Sequence, residues 1–356
     1  MPPPDPATAK LDISVVVPAR NEEASLGACL ESLTRQIGVE FEIIVVDDGS
    51  TDRTRQIAQS FPSVQVIDAG PLPEGWTGKN NAMAAGAKNA KGKWLLFTDA
   101  DTVHSPTSLA RGLTEAELRQ AQLLSYSPEQ EVRGFWEKAV MPVIFAELAA
   151  TYPPAKVSDP ASPIAAANGQ YLLISREAYD AVGGYDAIAG NLLEDVAMAR
   201  LVKFSERKIF FRYGGDVVRT RMYRSFAQLK EGWTKNLAVL FKRPRALAFL
   251  RTTEFLLILG NLAAAVIGWA AGRHDVSFAT LILALLVFGN VWLRIHRAHF
   301  SQTANLLAIG GLPIFGYLLV CSTRLHRSCT VSWKGRQYGS VPPKVTHKSP
   351  RAGSAG

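Results

Sequence analysis

Two pairs of acidic residues stand out because each follows an apolar run. Asp47 and Asp48 come directly after residues 41–46, and Asp99 and Asp101 come after residues 94–98. Two carboxylates separated by one residue provide the oxygen ligands that Mg²⁺ or Mn²⁺ prefers, with positions left for water and phosphate. The sequence therefore predicts that Asp99 and Asp101 share a divalent metal ion with a bound diphosphate.

Two of the acidic segments also have simpler explanations. The residues after Asp48 include Gly49, which permits a tight turn from a strand into a helix. Glu194 and Asp195 follow two leucines, and acids in the first turn of a helix favour its dipole. A carboxylate at Glu194 or Asp195 can instead act as a general base that removes the proton from an acceptor hydroxyl.

The elements that position these acids alternate along the first hundred residues. Apolar β-branched runs predict strands, and stretches with apolar residues at helical spacing lie between them. This alternation predicts parallel βαβ units with right-handed crossovers, in which ligands bind at the carboxyl ends of the strands. The predicted strands are residues 13–17, 41–46, 64–67 and 94–98, and the predicted helices are 22–36, 51–60 and 80–90.

The acidic motifs together resemble a known enzyme family over about residues 11–240. The segment 18–22 (PARNE), the turn 48–52 (DGSTD), the triplet 99–101 (DAD) and the pair 194–195 (ED) occur in the order and at the spacing of the family 2 glycosyltransferases. The segment 71–79 (PLPEGWTGK) is similar to the branch associated with hopanoid and carotenoid pathways. More distantly, it is similar to ceramide glucosyltransferases.

The resemblance implies an inverting enzyme with the GT-A fold, an α/β domain with a Rossmann-like, mostly parallel sheet. It also implies a nucleotide-sugar donor, UDP-linked in our expectation, and a divalent metal ion held by Asp101. Asp195 would be the general base, with Glu194 assisting it. The donor-binding residues would be Pro18, Arg20, Glu22, Asp48, Lys79, Asp99 and Asp101. The acceptor-side residues would be Asn168, Gly169, Gln170 and Trp233.

One departure from related processive enzymes concerns the number of sugars transferred. Processive relatives carry a QxxRW motif on an interfacial helix, and here only Trp233 matches it. Leu229 stands at the glutamine position and Gly232 at the arginine position. We therefore expect one sugar per acceptor.

The composition favours a membrane protein with a cytoplasmic catalytic domain. The 356 residues carry a net charge of +8, and the excess basic residues cluster near the apolar C-terminal segments. This distribution indicates a membrane surface and no nucleic-acid partner. Three cysteines without metal or disulfide spacing suit a reducing compartment. We expect a disordered lead-in at 1–10, a catalytic domain at 11–245 with an interfacial helix near 225–241, a transmembrane region at 246–323 and a basic tail at 324–356.

The membrane topology follows from three apolar stretches, residues 255–272, 276–293 and 304–321. Each is near the length of about 20 residues that spans a bilayer. The tail after them contains basic residues and no acid, and basic flanks prefer the cytoplasmic side. Because the third stretch holds Gly310, Gly311 and Pro313, it suits a broken or re-entrant helix. We therefore predict two full spans, one re-entrant segment and a cytoplasmic tail in the inner membrane.

Two other functions remain open at this point. A catalytic domain at a bilayer surface predicts a lipid acceptor, and a polyprenyl phosphate is an alternative to a lipid hydroxyl. A non-catalytic membrane module of the same fold is the alternative from outside the enzyme class. His104 follows the acidic triplet and is either a surface residue at a helix start or a third metal ligand.

Overall fold

The β-structure forms one large sheet, one small sheet and a hairpin. The structure, a computed structural model, describes residues 11–328, 331–333 and 336–338. The strands in this part of the chain are β1 (Ile13–Ala19), β2 (Phe41–Asp47), β3 (Val64–Asp68), β4 (Trp94–Phe97), β5 (Thr102–His104), β6 (Leu123–Ser127), β7 (Glu129–Gln130), β8 (Leu172–Ser175), β9 (Ile209–Tyr213), β10 (Val218–Thr220), β11 (Val331–Trp333) and β12 (Arg336–Tyr338).

The helices fall into a catalytic-domain set and a C-terminal set. The first set is α1 (Leu26–Thr34), α2 (Thr54–Gln59), α3 (Gly78–Asn89), α4 (Ser108–Arg119), α5 (Phe135–Thr151), α6 (Pro154–Ser158), α7 (Arg176–Ala181), a 3₁₀ helix (Gly184–Ile188), α8 (Glu194–Phe204) and α9 (Phe226–Leu240). The second set is α10 (Pro244–Ala270), α11 (His274–His296) and α12 (Gln302–Arg327).

The large sheet has seven strands in the order β3-β2-β1-β4-β8-β6-β9. All neighbouring pairs are parallel except those of β8, which runs antiparallel to β4 and β6. The predicted α/β fold and its mostly parallel sheet are confirmed, because β1 to β4 coincide with the four β-branched or apolar runs. The helix predicted over 22–36 begins only at Leu26, since the residues before it form a loop at the sheet edge.

The large sheet is covered by helices on both faces. On one face α1, α2 and α4 pack their apolar side chains against Val15 and Val17, with Cys29 in this core. On the other face α3, α7 and α8 pack against Val16 and Val46. Because the strands are apolar on both faces, the sheet is buried and its ligand-binding edge is the carboxyl end of β1, β2 and β4.

The small sheet was not predicted from the sequence. Its order is β5-β10-β7, and it joins segments from three distant parts of the chain. Its strands have two or three residues each, so no periodicity marks them. The pairing of β10 with β5 carries the chain from the large sheet back beside the acidic triplet 99–101.

The C-terminal helices have the length and composition of membrane spans. All three are long and apolar enough to cross a bilayer. In α10 and α11, 17% of the most apolar window is buried within the protein, whereas in α12 the figure is 44%. The first two helices therefore present most of their apolar surface outward, and α12 is packed largely against protein.

The break predicted in the third apolar stretch is wrong, because α12 is one continuous helix through Gly310, Gly311 and Pro313. Gly311 serves close packing instead: a Cβ on this residue would overlap the backbone carbonyl of Ala139 in α5. The glycine thus lets two helices approach each other closely, and the helix has no need to unwind.

Both ends of α12 lie against the catalytic domain. Just before its first turn, the ring of His299 stacks on Tyr213 of β9, with the ring centroids 4.1 Å apart. Near its last turn, His326 Nε2 lies 2.7 Å from the carbonyl oxygen of Lys235 in α9. Along its length α12 shares an apolar core with α5 and α9. Residues at both ends of α12 therefore contact the catalytic domain.

A buried ion network joins the catalytic domain to the first two C-terminal helices. Glu147 of α5 lies 2.8 Å from Arg251 Nε in α10 and 3.3 Å from Arg294 Nε in α11. Both arginines also pair with Glu254, each at 2.7 Å. Four charged side chains, two of each sign, therefore fix the docking of α5 on α10 and α11.

Removal of Glu147 is expected to destabilise the protein strongly. Glu147→Leu leaves the buried Arg251 and the partly buried Arg294 with a single carboxylate. Breaking a buried ion pair typically costs about 3–5 kcal/mol. The midpoint of thermal unfolding in detergent should fall clearly. The control Glu31→Leu breaks the exposed pair of Glu31 with Arg35, which is worth about 0–1 kcal/mol. Equal midpoints for the two variants would contradict a docking role for the network.

Candidate active site

The first part of the site is built by the ends of β1 and β2. Asp48 follows β2, and its backbone N–H donates to the carbonyl oxygen of Ala19 at 2.9 Å. Gly49 has φ of +67°, which makes the turn after Asp48 tight. The guanidinium of Arg20 donates to the carbonyl oxygen of Asp48, which ties the two loops together. Pro18, Arg20, Glu22 and Asp48 all line one cavity.

The acidic triplet forms a closed turn at the end of β4. The Thr102 hydroxyl donates to the carbonyl oxygen of Asp99 at 2.5 Å, and the Thr220 hydroxyl donates to that of Asp101 at 3.1 Å. These bonds come from the small sheet and fix the backbone of the turn. Asp99 and Asp101 line the same cavity as Asp48, as their positions at the sheet edge predict.

Lys79 connects the acidic triplet to the other acidic pair. It lies in the first turn of α3, whose N-cap Thr77 accepts a hydrogen bond from the backbone of Asn80. Lys79 Nζ is 2.7 Å from Asp99 Oδ1 and 2.6 Å from Glu194 Oε1. Burial alone would lower the pKa of Lys79, but these two carboxylates raise it well above its usual value. Lys79 is therefore charged and holds two acids from distant segments together.

Asp195 differs from its neighbour Glu194 in its partners. The described hydrogen bonds that Asp195 accepts both come from backbone N–H groups. Gly169 N–H donates to Oδ2 at 3.1 Å, and Val196 N–H donates to Oδ1 at 2.7 Å. Burial and then the charge of Glu194 raise the pKa of Asp195 to about 7, against the lowering effects of Lys79 and the two N–H groups. A carboxylate with such a pKa takes up a proton readily near neutral pH.

The proposed acceptor-side residues have different surroundings. Gly169 lies on the charged cluster, since a Cβ on it would be 3.2 Å from Lys79 Nζ and 3.4 Å from Glu194 Oε1. Asn168 Oδ1 accepts from the Gln170 backbone at 2.9 Å, and Gln170 is buried between the two sheets. Trp233 of α9 is only 4% exposed and donates through Nε1 to Met141 Sδ. All four residues border the cavity.

The cavity has a volume of about 690 Å³ and two chemically different ends. One end holds the carboxylates and Lys79. Apolar side chains from α5, α9 and the loop before α12 form the other end, where Lys235 of α9 and Arg297 of the loop also line the cavity. The apolar residues of this wall are Phe145, Leu148, Ala149, Tyr152, Leu240 and Ala298.

Residues 14–182 match the family model described as glycosyl transferase family 2. The chain has a family 2 glycosyltransferase domain. The resemblance carried by the acidic motifs is thus confirmed, and the protein is a glycosyltransferase.

The comparisons with individual proteins agree. The 4,4'-diaponeurosporenoate glycosyltransferase of Staphylococcus aureus strain MRSA252 is 28% identical over 347 residues, which cover 92% of this chain and 88% of the relative. The protein of the same name from strain USA300 is 27% identical over the same length. The mannosyltransferase PcManGT from Pyrobaculum calidifontis, solved in complex with GDP-Man and Mn2+, superposes with a TM-score of 0.51 at 16% identity. The superposition covers 89% of this chain and 87% of the mannosyltransferase chain. This likeness shows that the glycosyltransferase has the GT-A fold.

The carboxylates of the acidic triplet in this glycosyltransferase fit a divalent metal ion that also binds a substrate diphosphate. Within the described residues, no group of three or more His, Cys, Asp or Glu side chains is arranged to hold a metal ion alone. Asp99 and Asp101 provide hard carboxylate oxygens on the cavity wall. Mg²⁺ commonly binds one or two carboxylates and completes its coordination with water and substrate phosphate. These residues fit such an ion.

His104 is neither a surface residue nor a candidate metal ligand. It lies in β5 and is 5% exposed, with Nε2 3.0 Å from the Thr98 hydroxyl and Nδ1 3.3 Å from the Ser108 hydroxyl. Burial lowers the pKa of His104 to about 3, so the ring is neutral. Both ring nitrogens are engaged in holding β4, β5 and α4 together.

Two basic residues of the site were not singled out from the sequence. Lys235 lines the cavity from α9, where burial lowers the pKa of its ammonium against the charges of Glu194 and Asp99. In the sequence, the basic character of the helix was the only indication that Lys235 belongs to the site. Arg336 of β12 contacts Asp48, although 288 positions separate them. A contact between such distant segments leaves no local pattern.

Proposed function

We propose that this glycosyltransferase transfers one sugar, with inversion, from a nucleotide-sugar donor to a carotenoid-type lipid acceptor at the cytoplasmic membrane. The observation that carries the proposal is the two-ended cavity. Its charged end lies at the carboxyl edge of the sheet, and its apolar end is formed by the helices that dock the C-terminal membrane region. A polar donor and a long apolar acceptor thus have adjoining places in one site.

The donor belongs at the charged end. Asp48, at the end of β2, is suited to accept hydrogen bonds from the nucleoside. A divalent ion, Mg²⁺ or Mn²⁺, held by Asp101 would neutralise charge on the nucleoside diphosphate as it leaves. Lys79 keeps Asp99 and Glu194 in place, and its positive charge lies beside the site of the leaving group.

Asp195 is the general base in this proposal. Glu194 is committed to an ion pair with Lys79, whereas Asp195 accepts only backbone hydrogen bonds from Gly169 and Val196 among its described contacts. The pKa of about 7 suits proton removal from a hydroxyl near neutral pH. The proton passes from the acceptor hydroxyl to Asp195 as the acceptor oxygen attacks the anomeric carbon.

The acceptor belongs at the apolar end. Leu148 of α5 and Leu240 of α9 pack against the core under α12. Both line the cavity together with Tyr152, which follows α5 directly. The named acceptor of the Staphylococcus relatives is a carotenoid derivative, which matches such a wall in character. The proposed site is less suited to transfer to a polyprenyl phosphate. A phosphate acceptor is already ionised and does not need a general base such as Asp195.

A carboxylate acceptor is a second candidate, favoured by the name diaponeurosporenoate in the relatives. A carboxylate oxygen is nucleophilic without a general base. The two acceptor groups therefore differ in how strongly transfer depends on Asp195.

Lipid analysis of the host tests the proposal. Extracts of cells with and without the gene are compared by mass spectrometry, with a plasmid-borne copy as the control. We expect one glycosylated lipid to disappear on deletion and to return with the plasmid. An unchanged lipid profile in cells that demonstrably produce the protein would contradict the proposed acceptor class.

The proposed topology keeps two spans, α10 and α11, and a tail on the cytoplasmic side. It is supported by the contacts of both ends of α12 with the catalytic domain, through His299 and His326. The contact of Arg336 with Asp48 supports the same side for the tail. In this proposal α12 lies along the domain as an uninterrupted helix.

Cysteine labelling measures the side of the tail. Cys329 lies outside the described residues and is studied with Cys29 and Cys321 replaced by serine. A membrane-impermeant maleimide should label Cys329 in permeabilised cells and leave it unlabelled in intact cells. A cysteine placed at Gly272, between α10 and α11, should be labelled in intact cells and serves as the control. Labelling of Cys329 in intact cells would refute the two-span topology.

A further inference from the structure

The C-terminal hairpin contacts Asp48, one of the residues that line the cavity. Its strands β11 and β12 pair antiparallel, with Trp333 opposite Arg336. The guanidinium Nη1 of Arg336 donates to Asp48 Oδ2, and the two side chains are only 24% and 8% exposed. The contact joins residues that are 288 positions apart and is thus a tertiary feature of the fold.

The surroundings of this pair leave room for a guanidinium. Gly78, the first residue of α3, faces both partners, and a Cβ on it would collide with Arg336 Nη1 and with Asp48 Oδ2. On its other side the hairpin lies against α9 through β11. The hairpin therefore contacts both the donor edge of the sheet, through Asp48, and the helix that carries Trp233.

The charges of the cavity explain why a cation is needed here. Seven carboxylates line it, and the donor proposed for it carries an anionic diphosphate. Lys79 is shared between Asp99 and Glu194, and Arg221 is paired with Glu137. The other basic residues that line the cavity are Arg20, Arg224, Lys235 and Arg297. Among the described contacts, the side-chain cation on Asp48 comes from Arg336. The seven carboxylates are those of Glu22, Asp48, Asp99, Asp101, Glu194, Asp195 and Glu231.

We propose that Arg336 is a donor-binding residue supplied by the C-terminal hairpin, which orients Asp48 toward the nucleoside and adds positive charge beside the diphosphate. The proposal rests on the nucleotide-sugar donor proposed above. It makes the tail part of the donor site. The chemical class recognised is a nucleoside diphosphate, alone or with its sugar.

Nucleotide binding to the full-length protein in detergent provides the test. Isothermal titration with UDP and with GDP, each with Mn²⁺, gives Kd for the wild type and for Arg336→Ala. We expect Kd of the bound nucleotide to rise by about 10- to 100-fold, because a charge-assisted hydrogen bond is lost. Arg336→Lys should lie between the two, since it keeps the charge but loses the planar fork. Arg327→Ala, at an exposed basic residue of α12, is the matched control and should bind like the wild type.

A double-mutant cycle separates a donor role from a general effect on folding. If Arg336 acts with Asp48, the double variant Asp48→Ala/Arg336→Ala should bind the nucleotide no more weakly than Asp48→Ala alone. Thermal unfolding of each variant reports whether the fold is retained. An unchanged Kd for Arg336→Ala would overturn the proposal. A lower Kd would also overturn it, because the hairpin would then compete with the donor. Wild-type protein that binds neither nucleotide would instead contradict the nucleotide donor, and the present inference with it.

Discussion

Asp195→Asn is expected to lower kcat by about 10²–10⁴ with a hydroxyl acceptor, because the amide keeps the shape of the carboxylate but cannot accept the proton. Nucleotide binding should change little, since the described hydrogen bonds of Asp195 are with Gly169 and Val196 and none is with Asp48. With a carboxylate acceptor, the same substitution should cost far less. Single-turnover rates with saturating donor measure this loss directly.

The pH dependence of the wild-type rate provides a second test of Asp195 as the general base. The base must be ionised, and the pKa of Asp195 is raised to about 7. Below that pH, kcat/KM should fall about tenfold for each pH unit, and above it the rate should level off. The Asn variant should lose this dependence. A wild-type profile that is flat from pH 5 to pH 8 would exclude Asp195 as the base.

The thermal unfolding of the Asp195→Asn variant shows whether a loss of activity comes from the site or from loss of the fold. The pKa of Asp195 is higher in the folded protein than the ordinary value of 3.8, so the folded state binds more protons between these pH values. Stability is therefore lost as pH rises from about 4 to about 7. At pH 8 the Asn variant should unfold at the same temperature as the wild type or higher. Asp186→Asn, at an exposed position, serves as the matched control for activity.

Asp101→Ala is expected to abolish most metal-dependent donor binding. Asp99 forms an ion pair with Lys79, and Asp101 is the residue of the triplet to which the proposal assigns the ion. Loss of one metal ligand should raise the donor Kd at least tenfold in Mn²⁺ and remove nearly all turnover. EDTA should silence the wild type, and added Mn²⁺ or Mg²⁺ should restore it.

The matched control for Asp101→Ala is Asp68→Ala, which removes an exposed carboxylate at the end of β3. It should bind the donor and respond to EDTA like the wild type. Full wild-type activity in excess EDTA would contradict the metal assignment. Donor binding by Asp101→Ala equal to the wild type would contradict the role of this residue.

The half of the fold that positions the donor was predictable because its signals are local. Each of β1, β2 and β4 is an apolar or β-branched run, and the chemistry-bearing residues follow directly at the strand ends. Since parallel strands share their carboxyl edge, Asp48, Asp99 and Asp101 were expected to meet, and all three line one cavity. The roles assigned to the site residues remain predictions.

The remaining parts depend on contacts that leave no local pattern. The small sheet pairs strands of two or three residues, and Thr220 reaches Asp101 across more than a hundred positions. His104 was expected either at the surface before a helix or as a third metal ligand, whereas it is buried in β5, which pairs with β10. Gly311 was interpreted as a helix breaker, but the neighbouring α5 backbone makes it a packing residue. In each case a distant segment decided the outcome.

Sugar transfer by the purified protein tests the central claim most directly. The full-length protein in detergent is incubated with Mn²⁺, a radiolabelled UDP-sugar or GDP-sugar and a carotenoid-type lipid bearing a free hydroxyl or carboxyl group. Label in the lipid phase and the released nucleoside diphosphate are both measured, with Asp101→Ala as the inactive control. We predict one labelled sugar per lipid and one nucleoside diphosphate per sugar for the wild type. Wild-type protein that releases no nucleoside diphosphate and labels no lipid, with any of these donors and acceptors, would contradict the account.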